Sequence, residues 1–501
     1  MSSPSRSYLK LETRFSRLSA LSGAAAILQW DSAVIMPPGG SSARAEQMAG
    51  LTVLSHELLN HSETADLLDE AEKTVSDLDD WQRANLKEMR HSWRHATAIA
   101  PDLAEAHSRA TSLCEMQWRQ ARHDNDFASL STSLTEVVNL TQKIAAAKAN
   151  VFKTTPYDAL LDEYEPGCSS MIIDRLFADL EEFLPGFLTD VQDRQSSEPP
   201  VILPNGPFDE AIQKRLGRDF MTALGFDFNH GRLDVSHHPF TGGVADDVRL
   251  TTRYQAEDFT ESLMGTLHET GHALYEQGLP KKWGTQPVGM ARGMVLHESQ
   301  SLLVEMQLSR GHDFMAFTLP QIKSAFNGQG PAWELENLQR LYLKVEPGLI
   351  RVDADEVTYP LHVILRYRLE KALLSGDLSV ADLPGAWNSG MQSLLGITPP
   401  NDTMGCLQDI HWPSGAIGYF PTYTLGALAA AQIFQSAASG IEDFSEKIQD
   451  GRFQDLLRWL RLHIHSLGSS TSTDEILRAA TGGPLGSAAF KTHLQARYLS
   501  R

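Results

Sequence analysis

Residues 267–274, Leu267-His268-Glu269-Thr270-Gly271-His272-Ala273-Leu274, contain a His-Glu-x-x-His sequence. The apolar spacing around it predicts one helix from about 258 to 277. At about 100° per residue, His268, Glu269 and His272 project from one side of that helix. Two imidazoles one turn apart can hold a single Zn²⁺, and the carboxylate beside them can take a proton from a water that the ion activates. The stretch therefore predicts a buried active-site helix.

The third metal ligand must come from a second element, because a catalytic zinc keeps three protein ligands and one open position. Glu276 follows on the same helix, where it would have difficulty closing a tetrahedron, and we interpret it as a supporting or surface residue. Glu298 begins a second run with helical apolar spacing, and an antiparallel helix pair would bring it to the metal. His297 competes for this role. A carboxylate is favoured, since two histidines plus one glutamate are a recurring hydrolytic zinc set.

The composition excludes several classes of protein. The chain has 43 Lys plus Arg against 63 Asp plus Glu, so its formal net charge of −20 disfavours nucleic acid and anionic membranes as partners. Cys114, Cys168 and Cys406 are odd in number and far apart, which predicts no disulfide framework and a reducing compartment. No apolar run approaches the roughly 20 residues that span a bilayer, and Lys10 and Glu12 argue against a signal peptide. We expect a cytoplasmic protein that makes no membrane contact.

The order of patterns along the chain predicts one unit, 1–501, with two lobes. Residues 1–195 have mainly helical spacing, and a Pro-rich break at 194–207 separates them from the region 208–501, which carries the metal motif. The only convincing strand patterns lie within 233–253, just before the metal helix. Their sheet could offer an edge to an extended peptide, or it could be a hairpin that only packs against the helix.

Two further features have both a structural and a functional interpretation. Arg351 lies in an acidic neighbourhood, where it could form an internal ion pair or bind a ligand. Cys406 and His411 could form a thiol-protease pair, but nothing near Cys406 indicates a lowered thiol pKa. We therefore give the thiol-protease interpretation little weight.

Six short motifs follow one another in a fixed order. They are His238-Pro239-Phe240, then Asp247 with Arg249 and Thr251, then His268 to His272, His297 to Gln300, Ile350 to Asp355, and Gly405 to Trp412. With them, the chain resembles the carboxypeptidase Taq family of metallocarboxypeptidases over nearly its whole length. The resemblance implies a mainly α, two-lobed fold with a long substrate groove, similar to neurolysin and angiotensin-converting enzyme, with a small β-sheet near the zinc helix. It also implies a homodimer.

The resemblance implies a zinc-dependent metallocarboxypeptidase that releases C-terminal amino acids from peptides with a free C-terminal carboxylate. It supports His268, His272 and Glu298 as ligands of Zn²⁺, for which Co²⁺ could substitute, and Glu269 as the general base.

The remaining roles follow from similarity to the angiotensin-converting enzyme layout. Tyr423 is the first choice as a donor to the oxyanion, with His411 supporting it and Tyr419 as a further candidate. Arg351 can read a free carboxylate with a forked pair of hydrogen bonds. The predicted substrate-binding residues are Arg351, His238, Arg249 and Tyr419.

Two alternatives remain at this point. One is an oligopeptidase that cuts internally, since the fold that the chain resembles hosts both activities. The other is a non-catalytic peptide-binding protein, which the intact ligand set and Glu269 disfavour.

Overall fold

The computed structural model describes residues 4–500. Residues 1–3 and 501, which the predicted lobe and unit boundaries include, lie outside the described part. The α-helices are α1 (Arg6–Val34), α2 (Ser41–Leu59), α3 (Ser62–Lys73), α4 (Asp80–Thr97), α5 (Pro101–Asp124), α6 (Phe127–Phe152), α7 (Pro156–Leu161), α8 (Ser170–Ser196), α9 (Glu210–Leu224), α10 (Thr260–Glu276), α11 (Gly293–Leu302), α12 (His312–Phe326), α13 (Leu335–Tyr342), α14 (Tyr359–Ser375), α15 (Leu383–Leu395), α16 (Pro421–Gly440), α17 (Phe444–Gln449), α18 (Gln454–His463), α19 (Thr473–Thr481) and α20 (Ala488–Tyr498).

Short 3₁₀ turns and one π-helical segment complete the helical structure. The 3₁₀ turns are Pro38–Gly40, Val75–Asp77, Lys281–Trp283, Pro287–Gly289, Pro331–Trp333, Arg351–Asp353, Val380–Asp382 and His465–Leu467. The π-helix, Leu303–Ser309, continues directly from α11. No helix within residues 4–500 is both long and apolar enough to cross a membrane.

The helix predicted at about 258–277 is confirmed as α10. Its first turn is fixed by Asp258, whose carboxylate accepts a hydrogen bond of 2.7 Å from the Thr260 backbone N–H. The predicted apolar stripe is buried at Leu263, Leu267 and Leu274, so packing as well as propensity holds the helix. The turns of α10 that carry the two histidines therefore lie in the core.

A small three-stranded sheet lies beside α10, as the sequence predicted. β1 (Gly231–Val235) pairs in parallel with β3 (Asp247–Thr252), and β2 (Phe240–Val244) pairs with β3 as an antiparallel hairpin, giving the order β1-β3-β2. The parallel pairing of β1 was not predicted. The mainly α class with one small sheet is confirmed.

Two glycines let the helices around the metal motif approach closely. A Cβ added at Gly271 of α10 would overlap the Gln300 carbonyl oxygen of α11 and lie 2.5 Å from the Ser301 Cα. A Cβ added at Gly426 of α16 would lie 2.7 Å from the Glu298 Cβ. Such contacts are closer than side-chain atoms tolerate, so both positions require glycine. α11 is therefore held between α10 and α16.

Most of the buried apolar residues within 4–500 belong to two clusters. The smaller one joins α1, α3 and α4 around Tyr8, Leu68 and Met89. The larger one extends from Cys114 to Tyr498 and includes the sheet, α10 and α11. The predicted lobe division at 194–207 stays a prediction.

Candidate metal centre

Donor atoms from two helices converge at one point. The ligand atoms of His268 and His272 on α10 and of Glu298 on α11 all lie within 4.8 Å of one another. The His272 Nε2 and Glu298 Oε2 atoms are 3.7 Å apart. Two ligands of a tetrahedral ion with bonds of about 2.0–2.1 Å lie about 3.3 Å apart, so the separation is close to what a shared ion requires.

His297, the competing candidate, makes a different contact. Its Nε2 atom lies 2.9 Å from Glu276 Oε1, and its ring packs against His272 with centroids 4.6 Å apart. Glu276, which we interpreted as a supporting or surface residue, therefore orients His297. Of the two alternatives in this motif, Glu298 joins the donor group.

Glu305 orients the first histidine from behind. His268 Nδ1 lies 2.9 Å from Glu305 Oε2, and Arg310 Nη2 donates to Glu305 Oε1 at 2.6 Å. A carboxylate on one ring nitrogen fixes the ring orientation and directs the other nitrogen toward a metal. Glu305 was not predicted, although it is the single carboxylate in the apolar run 302–308, which was a usable signal.

Burial gives this group of residues an electrostatic cost that a cation would relieve. Burial raises the pKa of Glu298 and the pKa of Glu269, and it lowers the pKa of His272. Burial opposes the charge of His268 as well, but Glu305 and Glu298 raise its pKa to about 9. His272 is thus held neutral, and a divalent ion would take the place of the proton on His268 and supply the positive charge that the buried Glu298 carboxylate needs.

The carboxylate of Glu269 is held in place by the sheet. Glu269 is 6% exposed, and the Thr241 hydroxyl of β2 donates a 2.6 Å hydrogen bond to its Oε2 atom. The sheet thus does more than pack against the helix. Thr241 was missed by the sequence analysis, although it directly follows the His238-Pro239-Phe240 motif.

Arg351 forms the internal ion pair that we weighed in the sequence. Its Nε and Nη2 atoms donate to Asp409 Oδ1 at 3.1 and 2.9 Å, and Nη1 donates to the Tyr359 hydroxyl at 3.1 Å. Its guanidinium also lies 5.0 Å from the centre of the Tyr423 ring. A guanidinium has five N–H donors, so two remain for a ligand. Although burial opposes the charge, Tyr359 and Asp409 raise the pKa of Arg351.

The predicted donors to an oxyanion lie together beside this guanidinium. His411 Nε2 is 3.2 Å from the Tyr423 hydroxyl, and the Tyr419 and Tyr423 rings meet edge to face with centroids 5.2 Å apart. Burial lowers the pKa of His411 to about 4 and raises the pKa of Tyr423, so both groups are neutral near pH 7. Tyr423 lies one turn before Gly426, which contacts Glu298, and this connects the aromatic group to the metal ligands.

Two predicted substrate-binding residues lie in or beside the sheet. His238 is exposed in the segment between β1 and β2. Arg249 pairs with Asp247 through a 2.7 Å hydrogen bond and lies over the Trp30 ring, 4.4 Å from its centre. The contacts described for these two residues therefore do not join them to the metal ligands or to Arg351.

Cys406 does not have the properties of a catalytic thiol. It is buried, and burial raises the pKa of its thiol above the usual range. A nucleophilic cysteine needs a lowered pKa and access to substrate. The thiol-protease interpretation is therefore disfavoured.

Known proteins resemble this chain over nearly its whole length. The family described as carboxypeptidase Taq (M32) metallopeptidase matches residues 10–498. Thermostable carboxypeptidase 1 of Thermus thermophilus is 37% identical, with 95% of each chain covered, and thermostable carboxypeptidase 1 of Pyrococcus furiosus is 34% identical, with 97% of each covered. Among solved structures, metallocarboxypeptidase 1 of Trypanosoma cruzi superposes with a TM-score of 0.97 at 41% identity, covering 99% of both chains. An M32 carboxypeptidase from Deinococcus radiodurans gives 0.94 at 32% identity, again covering 99% of both.

Proposed function

The chain belongs to the carboxypeptidase Taq (M32) family of metallopeptidases and is a metallocarboxypeptidase, and we propose that its ion is Zn²⁺, held by His268, His272 and Glu298. The observation that carries this proposal is the convergence of three ligand atoms within 4.8 Å. The Glu269 carboxylate lies on α10, the helix that also carries the two histidines. Two histidines and one glutamate form a set that zinc uses for hydrolysis. Co²⁺ has similar ligand preferences and should support activity in its place.

The Glu269 carboxylate acts as the general base and later as the acid toward the departing amine. When bound, the ion supplies Lewis acidity, which acidifies a water and polarises the scissile carbonyl. The Thr241 hydroxyl holds one oxygen of Glu269, so the other oxygen is free to accept the proton. Because Glu269 is buried, its proton transfers take place away from bulk water.

The Tyr423 hydroxyl donates to the oxyanion that forms at the scissile carbonyl. His411 is neutral, and its Nε2 atom lies 3.2 Å from that hydroxyl and holds it in position. Tyr419 packs on the Tyr423 ring. A neutral phenol is the form that can donate, and the raised pKa of Tyr423 keeps it protonated.

Arg351 reads the free carboxylate of the peptide with its two remaining N–H groups. Asp409 accepts from Nε and Nη2 and Tyr359 accepts from Nη1, so the orientation of the guanidinium is fixed before substrate arrives. A preorganised arginine pairs well with a carboxylate. At the sheet, away from its C-terminal carboxylate, the peptide contacts His238 and Arg249. The substrates are therefore peptides with a free C-terminus.

We extend the proposal to a homodimer located in the cytoplasm. The resemblance of the whole chain to one family supports the dimer, and the acidic composition with three free cysteines supports a reducing compartment. Light scattering on the purified protein should give a mass about twice the 55.4 kDa of one chain. A mass of one chain at micromolar concentration would contradict the dimer.

Mass spectrometry of peptide products tests the activity. Incubation with free-acid peptides should yield ladders that shorten from the C-terminus, whereas C-terminally amidated copies should resist. Chelation should stop the release of C-terminal residues, and added Zn²⁺ or Co²⁺ should restore it. Fragments from internal cleavage of the amidated peptides would instead indicate an oligopeptidase, and activity indifferent to chelation would overturn the metal assignment.

A further inference from the structure

A second group of metal-binding side chains lies on a different pair of elements. His91 and His95 are one turn apart on α4, and Asp162 directly follows α7. Their ligand atoms lie within 4.8 Å of one another, and among residues 4–500 only this group and the candidate metal centre have such an arrangement. The Asp162 Oδ2 atom lies 2.7 Å from His91 Nε2 and 2.9 Å from His95 Nε2.

We propose that His91, His95 and Asp162 form a second, non-catalytic binding site for a divalent ion of the Zn²⁺, Co²⁺ or Ni²⁺ class. Two imidazoles and a carboxylate suit these ions, and histidines one turn apart on a helix can ligate the same ion. Ligands of a tetrahedral ion lie about 3.3 Å apart. The nitrogen–oxygen distances here would therefore widen by a few tenths of an ångström on binding.

The groups behind the ligands are arranged as metal sites require. The Gly167 backbone N–H donates to the other Asp162 oxygen, Oδ1, at 2.8 Å. The other nitrogen of His95, Nδ1, lies 3.8 Å from Glu163 Oε1 and has no hydrogen-bond partner although it is buried. Carboxylates and backbone groups at these positions orient ligands in known metal sites. One ring nitrogen of His95 is thus available for a metal while the other faces a carboxylate.

The charges around the group are compatible with a cation. The basic side chain of Lys148 is buried and paired with Glu163, so its charge is compensated.

Solvent can reach this site. The His91 side chain is 26% exposed and the Asp162 side chain 16%, which leaves a path for an ion and room for a water ligand.

A bound ion would join α4 to the segment after α7. Two residues beyond Asp162, the Tyr164 ring meets Tyr419 edge to face with centroids 5.0 Å apart. The ion would therefore stiffen the segment that supports the predicted active-site tyrosines. This role is structural, and it does not depend on the proposed reaction.

Zinc titration of the metal-depleted full chain tests the site. By calorimetry and elemental analysis, the wild type should bind two equivalents, and His91→Ala and His95→Ala should each bind one. Loss of a direct ligand should weaken binding at least about 100-fold, since outer partners alone contribute 10–100-fold. Asp162→Asn keeps the side-chain shape and should also bind one equivalent. Loss of an equivalent in this variant as well would show that misfolding of the histidine variants is not the cause.

The matched control is His123→Ala. His123 and Asp124 form an exposed pair, 2.7 Å apart, with no third ligand, and this variant should keep both equivalents. A wild type that binds only the equivalent removed by His268→Ala would overturn the second site. A second equivalent that persists in His91→Ala and His95→Ala, or that is also lost in His123→Ala, would overturn it too.

Discussion

Replacing Glu269 with Gln removes a base while keeping the size and position of the side chain. The amide oxygen can still accept the Thr241 hydrogen bond, so the geometry around the metal ligands should be kept. General-base catalysis contributes about 10²–10⁴ in rate, which corresponds to about 3–5.5 kcal/mol. The site favours the upper half of this range, because the other nearby carboxylates are committed. Glu298 is a proposed ligand, and Glu305 is paired with His268 and Arg310.

We therefore expect kcat of Glu269→Gln to fall by about 10³–10⁴ on a free-acid peptide while one catalytic equivalent of zinc is retained. Glu261→Gln is the matched control, since it makes the same change in the exposed first turn of α10 and should leave kcat within about twofold. Near-normal turnover of Glu269→Gln with metal in place would refute the assignment of the base. Loss of zinc in this variant would refute the premise that the substitution leaves the site intact.

Four further substitutions probe separate parts of the account. Arg351→Ala should lower kcat/KM about 10–150-fold on free-acid peptides, because it removes charged hydrogen bonds of about 1.5–3 kcal/mol. The loss should be much smaller for any residual cleavage of amidated peptides, and equal losses on both would show that Arg351 does not read the terminus. Thr241→Val should lower kcat about tenfold while Thr241→Ser stays near wild type, and equal effects of the two would show that the hydroxyl does not position Glu269. Gly271→Ala should destabilise the fold by about 1–3 kcal/mol in urea unfolding and weaken zinc binding, because its Cβ would overlap α11; unchanged stability and affinity would contradict that contact. Although burial would raise the pKa of Glu356, His493 and Arg497 lower it to about 2 from the ordinary 4.5. The ionised carboxylate therefore stabilises the fold above pH 4.5, and this effect is lost toward pH 2. The difference in the free energy of unfolding between wild type and Glu356→Gln should shrink over that interval, and a constant difference would contradict the shift.

The sequence predicted those parts of the site that depend on local periodicity. The spacing of His268, Glu269 and His272 places them on one side of a helix whatever the rest of the chain does. The helix bounds were within two residues of those observed. The third ligand needed a second element, which its own apolar spacing indicated, and Glu298 was favoured over His297 because two histidines and one glutamate are a recurring zinc set.

The remaining contacts join residues that no local pattern connects. Thr241 reaches Glu269 from a strand, and Glu305 reaches His268 from a π-helical segment that lies 37 residues farther along the chain. The pairing of Arg351 with Asp409 likewise links distant motifs. Such contacts depend on how closely α10, α11 and α16 pack, and single glycines permit that packing.

The central claim is that two imidazoles and one carboxylate share a single ion. Crystals of the zinc-reconstituted protein, measured at the zinc absorption edge, test it most directly. We expect an anomalous peak about 2.0–2.2 Å from His268, His272 and Glu298, with a fourth position open to solvent. Zinc-dependent activity in crystals that show no peak between these three side chains would contradict the claim.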